Sequence, residues 1–127
     1  MKGDDVTHRR RVVITGMGAV SPLGFGAGLM CSMIQQGRCG LSPLPDGGHL
    51  KELGARVAGL VPEFETKSIP RTYRRPMSRM GLFACLAARD ALALADLEDY
   101  PKDMGVSVGT TMGSPRTLPE FFVEYLR

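Results

Sequence analysis

The sequence contains no tryptophan, and aromatic residues make up 6% of its 127 residues. It has three cysteines without Cys-x-x-Cys spacing and two histidines, His8 and His49. So few soft ligands argue against a structural zinc site or a disulfide framework, and we expect no metal and a reducing, cytoplasmic compartment. The apolar run near the N terminus, residues 12–14, is too short for a signal peptide or a membrane span, so no membrane association is predicted.

Charge of one sign is not in large excess, because 16 lysines and arginines stand against 13 aspartates and glutamates. A net charge of +3 is far below that of a polybasic nucleic-acid arm, and no nucleic-acid partner is predicted. The densest basic cluster contains a single aromatic residue, Tyr73, among Arg71, Arg74, Arg75 and Arg79. It therefore lacks the interleaved aromatics of a single-strand binder. A solvated face is its usual explanation, and docking of an acidic partner is the alternative.

The chain does have enough apolar sequence for one folded domain. Apolar residues make up 43% of it, and at this length a compact fold buries roughly two thirds of the unfolded surface. The 16 glycines and 9 prolines exceed their usual shares and predict many tight loops. We predict a flexible charged leader over residues 1–9 and one domain over residues 10–127.

Short apolar runs alternate with helical patterns along this domain. The patterns predict strands over residues 11–15, 56–61 and 105–110, and helices over residues 29–36, 77–97 and from about 117 onward. This order indicates a layered α/β fold. The second helix is apolar around nearly its whole circumference, which is typical of a buried central helix. The last helix carries Phe121, Phe122 and Tyr125 with no later element to cover them, so we expect a chain that stops early.

Glycines follow the first predicted strand, at Gly16 and Gly18. Such glycines can bring the backbone close to a dinucleotide pyrophosphate at a helix N-terminus. The third glycine of that motif is replaced by Ser21, Pro22 follows, and no acidic residue ends a second strand at the required distance. A tight structural turn is the favoured interpretation.

Each of the three cysteines is a formal candidate nucleophile. Cys85 lies in the middle of the long helix among apolar residues, where a free cysteine packs like a small hydrophobe. Cys31 lies in the first predicted helix and Cys39 in a turn. Pairing of either with His49 is formally possible, but nothing in the spacing favours it.

A family resemblance begins at residues 10–24, which read RRVVITGMGAVSPLG. This segment resembles the N-terminal signature of the β-ketoacyl-acyl-carrier-protein synthases, the condensing enzymes of fatty-acid and polyketide synthesis. Four further segments resemble that family in the same order: its Gly-x-Ser-Gly-Ile loop (residues 37–41), its second strand (57–64), the entry into its long helix (75–79) and the strand and glycine turn beside its acyl pocket (105–113). Five collinear matches are far more specific than any one of them.

The resemblance implies the N-terminal portion of a thiolase-like, layered α/β/α fold. In the family a cysteine takes the acyl group from a phosphopantetheine thioester, and two histidines assist decarboxylation of the malonyl unit. Those residues and a lysine lie beyond the matching end of this chain. No catalytic residue is therefore assigned here, and the chain alone is predicted to be inactive, while the whole enzyme is expected to condense acyl thioesters with malonyl-ACP.

The resemblance also implies partners and site residues. The expected partners are acyl carrier protein and the remainder of the synthase or a second synthase subunit, in a homodimer or heterodimer. No cofactor is expected, because phosphopantetheine arrives on the carrier protein. Arg71 and Arg75 match basic carrier-docking positions, and Arg74 is adjacent to them. Met112 and Gly113 match the residues beside the turn at the acyl pocket.

Three positions depart from the family pattern. Cys31 stands where the family often has tryptophan, Cys39 replaces the serine of the loop, and Ser78 replaces the aspartate before the long helix. Both a fatty-acid and a polyketide branch remain compatible with these changes. The alternative function is a small non-catalytic α/β binding or scaffold protein that reuses the segment.

Overall fold

The computed structural model describes residues 11–44, 54, 56–97, 99, 101–115 and 117–127. The predicted leader, residues 1–9, lies outside the described residues, as does His49. The elements, in chain order, are β1 (Val20–Ser21), β2 (Gly24–Phe25), α1 (Ala27–Gln35), β3 (Leu41–Pro43), β4 (Val57–Gly59), α2 (Arg71–Arg74), α3 (Arg79–Leu94) and α4 (Thr117–Tyr125). The strands form two antiparallel pairs, β1 with β2 and β3 with β4.

The first pair is a tight hairpin in which Val20 lies opposite Phe25 and Ser21 opposite Gly24. The Ser21 hydroxyl accepts a hydrogen bond from the Leu23 N–H at 3.2 Å and donates one to the Gly24 carbonyl at 3.3 Å. Gly24 has a φ of 126°, which favours glycine. These two hydrogen bonds and the positive φ of Gly24 close the loop, and Phe25 then lies toward the core.

The second pair joins the two sides of residues 45–53, which lie outside the described part of the chain. Leu41 lies opposite Gly59, and Pro43 lies opposite Val57. The strand predicted over residues 56–61 is thus confirmed in its central part, and it ends at Gly59, ahead of Pro62.

The predicted end of the first helix at Gly37 is confirmed. Gly37 has a φ of 69°, its N–H donates to the Ile34 carbonyl, and the Arg38 N–H donates to the Met33 carbonyl. These two bonds form a Schellman motif, which satisfies the carbonyls that a helix end leaves free. The helix begins earlier than predicted, at Ala27.

The long helix α3 has a side-chain cap at its start and a backbone cap at its end. The Ser78 hydroxyl accepts from the Gly81 N–H at 3.2 Å, as an N-cap residue does. At the other end Asp96 has a φ of 54°, and the Leu97 N–H donates to the Leu92 carbonyl at 3.2 Å. The caps confine α3 to residues 79–94, within the predicted 77–97.

The core is small and centres on α3. Phe64 lies between Phe25 and Phe83, with ring centroids 5.7 Å and 5.3 Å apart. Among the described residues, the apolar side chains that are buried are Ile69 and Leu86, each 6% exposed. The prediction that α3 is buried all round is wrong, because Leu86 is its one buried residue and both its ends are solvated.

Two glycines bring the N-terminal segment against the backbone of α3. A Cβ added to Gly16 would overlap the carbonyl oxygen of Ala91, and one added to Gly18 would overlap that of Ala87. Gly16 and Gly18 are two residues apart, so they lie on the same side of the extended N-terminal segment. Ala87 and Ala91 are four residues apart, so they lie on the same face of α3. The favoured interpretation of the glycines as structural is supported, although the reason is close packing on a helix as much as a turn.

The strands predicted over residues 11–15 and 105–110 do not form. Both segments are irregular, and no strand pairs with them within the described residues. Their apolar side chains are solvated, with Val12 93% and Val106 85% exposed. A strand requires a neighbour to accept its hydrogen bonds, and β propensity alone does not supply one.

The last predicted helix is confirmed as α4, which begins at Thr117. The Thr117 hydroxyl donates to the Ser114 carbonyl at 2.9 Å, at the start of the first turn. Phe121 packs on Phe122 and stacks on Tyr125, with ring centroids 5.6 Å and 5.9 Å apart. All three rings remain exposed.

Candidate functional site

The predicted acyl-pocket residues lie in a turn between residues 110 and 113. The Gly113 N–H donates to the Thr110 hydroxyl at 2.9 Å, and Gly113 has a φ of 62°. This conformation strains most side chains, so the turn requires glycine at that position. Met112 projects from the same turn and is 72% exposed. The turn therefore presents one adaptable apolar side chain on a fixed backbone.

The three predicted docking arginines lie in and just after α2. Arg71 and Arg75 are both exposed and are four residues apart on helical backbone, so they share one face. Arg74 is half-buried, and its Nη1 donates to the Thr66 hydroxyl at 3.2 Å. Within the described part of the chain, none of the three forms an ion pair. Two of the three cations are thus available to an acidic partner, and Arg74 anchors the preceding loop.

The fourth arginine of the basic cluster is used by the fold. The Arg79 guanidinium lies over the rings of Phe83 and Phe64, 5.2 Å and 5.9 Å from their centroids, and Nη2 donates to the Val61 carbonyl at 3.5 Å. Cation–π contacts of this kind contribute about 0.5–1 kcal/mol at exposed sites. Sequence reasoning missed this role, although the spacing of Arg79 and Phe83 by one helical turn is a visible signal.

Sequence reasoning also missed two grooves that border α3. One has a volume of about 340 Å³ and is mostly apolar, with Ile69, Tyr73, Met77, Cys85 and Leu86 among its lining residues. The other, of about 360 Å³, combines Phe25 and Phe64 with the charged side chains of Glu63, Glu65, Arg89 and Asp90. Met112 lines neither of them.

The cysteines lie apart from any catalytic arrangement in the described residues. Cys31 and Cys39 are exposed, and Cys85 is half-buried where it borders the apolar groove, so its predicted core position is only partly attained. Within residues that the structure describes, no group of three His, Cys, Asp or Glu side chains is placed to hold a metal ion. No helix among them is long and apolar enough to cross a membrane.

The glycines at positions 16 and 18 do not form a phosphate cradle. The side of each that lacks a Cβ is filled by a carbonyl oxygen of α3, which would repel a pyrophosphate. The dinucleotide interpretation is therefore excluded by the packing.

The comparison that decides the family is a match over residues 9–122 to the N-terminal domain of β-ketoacyl synthases. The chain belongs to this family. It is 34% identical to 3-oxoacyl-[acyl-carrier-protein] synthase 1 of Escherichia coli over 84% of its own length and 27% of that protein. It is 29% identical to synthase 2 of Synechocystis, over 89% of this chain and 28% of the relative.

Polyketide relatives are equally similar. A Streptomyces violaceoruber protein assigned as granaticin polyketide beta-ketoacyl synthase 1 is 34% identical over 92% of this chain and 28% of its own length. The structure also matches the ishigamide ketosynthase/chain length factor with a TM-score of 0.69 and 31% identity, over 93% of this chain and 30% of the other. The predicted fold class, the N-terminal portion of a thiolase-like α/β fold, is confirmed. The chain spans little more than a quarter of these β-ketoacyl synthases.

Proposed function

We propose that this chain forms part of a β-ketoacyl synthase that condenses acyl thioesters with malonyl-ACP, with loss of carbon dioxide, in fatty-acid or polyketide biosynthesis. The observation that carries this proposal is the structural match to a ketosynthase over 93% of the chain. A match of that extent requires the order and packing of all the elements, which a reused short motif does not supply. The matched structure is of a ketosynthase/chain length factor, and the proposed partners of this chain are the remainder of the synthase or a second synthase subunit.

The contribution of this chain is positional. No catalytic residue is assigned to it, and the acyl-accepting cysteine and its histidines belong to the rest of the enzyme. What the chain supplies is α3, the glycine-packed N-terminal segment against it, and the turn that carries Met112. We place the synthase in the cytoplasm and assign it no cofactor, because the carrier protein brings the phosphopantetheine.

Acyl carrier protein is the proposed substrate carrier, and Arg71 and Arg75 are its proposed contacts. Both are exposed, lie on one face and have no anionic partner in the described residues. Such a pair attracts an acidic surface and accelerates association in a salt-dependent manner. Arg74 supports this face through its hydrogen bond to Thr66.

Met112 and Gly113 are the proposed acyl-pocket residues. Methionine is unbranched and flexible, so it can fill part of a pocket and move aside for a longer chain. The positive φ of Gly113 holds the backbone in the turn from which Met112 projects.

A chimeric enzyme tests the function directly. Residues 10–122 of this chain replace the matching segment of E. coli 3-oxoacyl-[acyl-carrier-protein] synthase 1, and condensation is measured with acyl-ACP and malonyl-ACP. We expect a folded, active enzyme. A matched chimera in which the catalytic cysteine of the E. coli portion is replaced by alanine should be inactive. A chimera that folds and binds carrier protein without condensing would instead favour the non-catalytic scaffold.

A further inference from the structure

The two proposed docking arginines lie on a helix that is too short to hold its own position. Helix α2 consists of four residues, Arg71–Arg74, with Arg75 as its C-cap, and its N-cap residue, Pro70, forms no side-chain hydrogen bond to it. Isolated helices shorter than about 12 residues are marginal in water. The orientation of Arg71 and Arg75 must therefore be fixed by contacts outside the helix.

Thr66 supplies such contacts at both ends of α2. Its carbonyl accepts a hydrogen bond from the Ile69 N–H at 3.0 Å, just ahead of the helix, and its hydroxyl accepts one from Nη1 of Arg74 at 3.2 Å, at the last helical residue. Ile69 is 6% exposed, so the turn that the Thr66 carbonyl closes is anchored in the core. Thr66 thus joins both ends of α2 to an anchored loop.

The bond between Thr66 and Arg74 acts on the neighbours of Arg74. Arg75 follows directly in the chain, and its N–H donates to the Arg71 carbonyl at 3.0 Å, so the two exposed arginines share one turn of backbone with Arg74. A rotation of that single turn moves both of their guanidinium groups, because each lies at the end of a long side chain. Holding Arg74 in place therefore holds Arg71 and Arg75 as well.

The acceptor that holds Arg74 is uncharged. A threonine hydroxyl accepts a hydrogen bond without cancelling the charge of the guanidinium, as a carboxylate at this position would. The adjacent carboxylate, Glu65, is paired instead with Lys67: its Oε1 accepts from the Lys67 N–H at 2.7 Å, and its Oε2 lies 3.9 Å from the Lys67 Nζ. Arg74 thus keeps its positive charge beside the two exposed arginines, which favours the approach of an acidic partner.

We infer that Thr66 is a positioning residue for carrier recognition: its hydroxyl holds Arg74 and thereby keeps α2 in the orientation from which Arg71 and Arg75 meet an acidic carrier surface. The inference rests on the proposed function. Thr66 is half-buried and carries no charge, so it acts through the arginines and not through an ionic contact of its own.

Binding of fluorescently labelled acyl carrier protein to the chimera, measured by anisotropy at low salt, tests this role. Thr66→Val removes the hydroxyl and keeps both the side-chain shape and the backbone carbonyl. It should raise the dissociation constant about two- to fourfold, and KM for a pantetheine mimic should not change. Thr66→Ser retains the hydroxyl and should bind within about 1.5-fold of the unsubstituted chimera. An unchanged or lower dissociation constant for the valine variant, or a serine variant that binds as weakly, would overturn the inference.

A double-mutant cycle distinguishes positioning from general stability. In a chimera that already carries Arg71→Ala and Arg75→Ala, Thr66→Val should raise the dissociation constant less than about 1.3-fold, since no docking arginine is left to position. The same increase in both backgrounds would overturn the inference.

Thr72→Val is the matched control. It makes the same substitution at an exposed position of α2 whose hydroxyl has no hydrogen-bond partner among the described residues, and it should change the dissociation constant less than about 1.5-fold. A loss of binding equal to that of Thr66→Val would also overturn the inference.

The same measurements separate this inference from the proposed function. If the two arginine substitutions weaken binding and Thr66→Val does not, the positioning role alone is removed. If the arginine substitutions leave binding unchanged, the docking face is removed together with the role of Thr66. A folded chimera that binds carrier protein through Thr66 and the arginines but does not condense leaves the positioning role and removes the proposed condensation.

Discussion

Gly18 is the residue at which the fold leaves least room. The carbonyl oxygen of Ala87 occupies the place where its Cβ would be, so any side chain forces the N-terminal segment away from α3. Overpacking of this kind costs about 1–3 kcal/mol.

We therefore expect Gly18→Ala to lower the free energy of unfolding of the chimera by about 1–3 kcal/mol, measured in urea. Gly28→Ala is the control, because its added Cβ meets nothing within 4 Å and it lies in α1. That change should leave stability equal or raise it by about 0.5–1 kcal/mol, since alanine is the better helix former. A loss at position 28 as large as that at position 18 would contradict the packing explanation.

Met112 allows a prediction on chain length. In the chimera, Met112→Phe should lower kcat/KM for the longest acyl primer by about tenfold or more and leave short primers nearly unchanged, because the ring obstructs only chains that reach past it. Met104→Phe, the same substitution at another exposed methionine, should not alter the length profile. A uniform loss over all primers would indicate damaged folding and remove the pocket assignment.

At the scale of elements, the basic face of α2 is the feature that carries a functional prediction. The double substitution Arg71→Ala and Arg75→Ala should raise KM for carrier-bound acyl substrate about three- to tenfold at low salt. The reason is that it removes, from one face of the protein, two positive charges that have no partner among the described residues. KM for a pantetheine mimic should not change, and the difference should shrink as salt increases.

Two controls accompany this pair of substitutions. Arg38→Ala with Arg89→Ala removes the same charge from exposed positions elsewhere and should leave KM unchanged. Arg74→Ala should instead reduce stability by about 0.5–1.5 kcal/mol through loss of its bond to Thr66. Equal increases in KM for the carrier-bound substrate and for the mimic would contradict a docking role, and this face would then be an ordinary solvated surface.

The three longer helices were predictable from the sequence, whereas β4 is the one observed strand that the sequence predicted. Glycine at position 37, serine at position 78 and threonine at position 117 mark helix ends through local chemistry, and each lies within two residues of an observed boundary. The segments at residues 11–15 and 105–110 have strand propensity, but pairing depends on partners distant in the sequence. The contact of Arg79 with Phe64, fifteen positions earlier, is hidden for the same reason, whereas its contact with Phe83 is one helical turn away.

At the scale of the whole molecule, the chain belongs to the β-ketoacyl synthases, but no nucleophile is assigned among its own residues. The purified chain should neither accept a radiolabelled acyl group from acyl carrier protein nor condense malonyl units. Stoichiometric, hydroxylamine-labile acylation of Cys31, Cys39 or Cys85 would overturn this prediction. Trace labelling would not, because exposed thiols react slowly with any thioester.

The candidate site was visible in the sequence only through family resemblance. Nothing in the local pattern distinguishes Met112 from a core methionine, and the structure leaves it solvated. A pocket forms where distant segments converge, so its residues become recognisable only against related proteins. By contrast, the sequence does not show which docking arginine is already used by the fold. The structure shows it, because Arg74 donates a hydrogen bond to Thr66.

The serine that caps the start of α3 also determines how that cap responds to a change in pH. A carboxylate in that position accepts its hydrogen bond fully only when ionised, so its cap weakens on acidification. The Ser78 hydroxyl has no proton to gain in that range, and its bond to the Gly81 N–H persists. The cap at the start of the longest helix in the described chain therefore contains no titrating group, and acidification leaves its hydrogen bond to the first turn, which bears Arg79, intact.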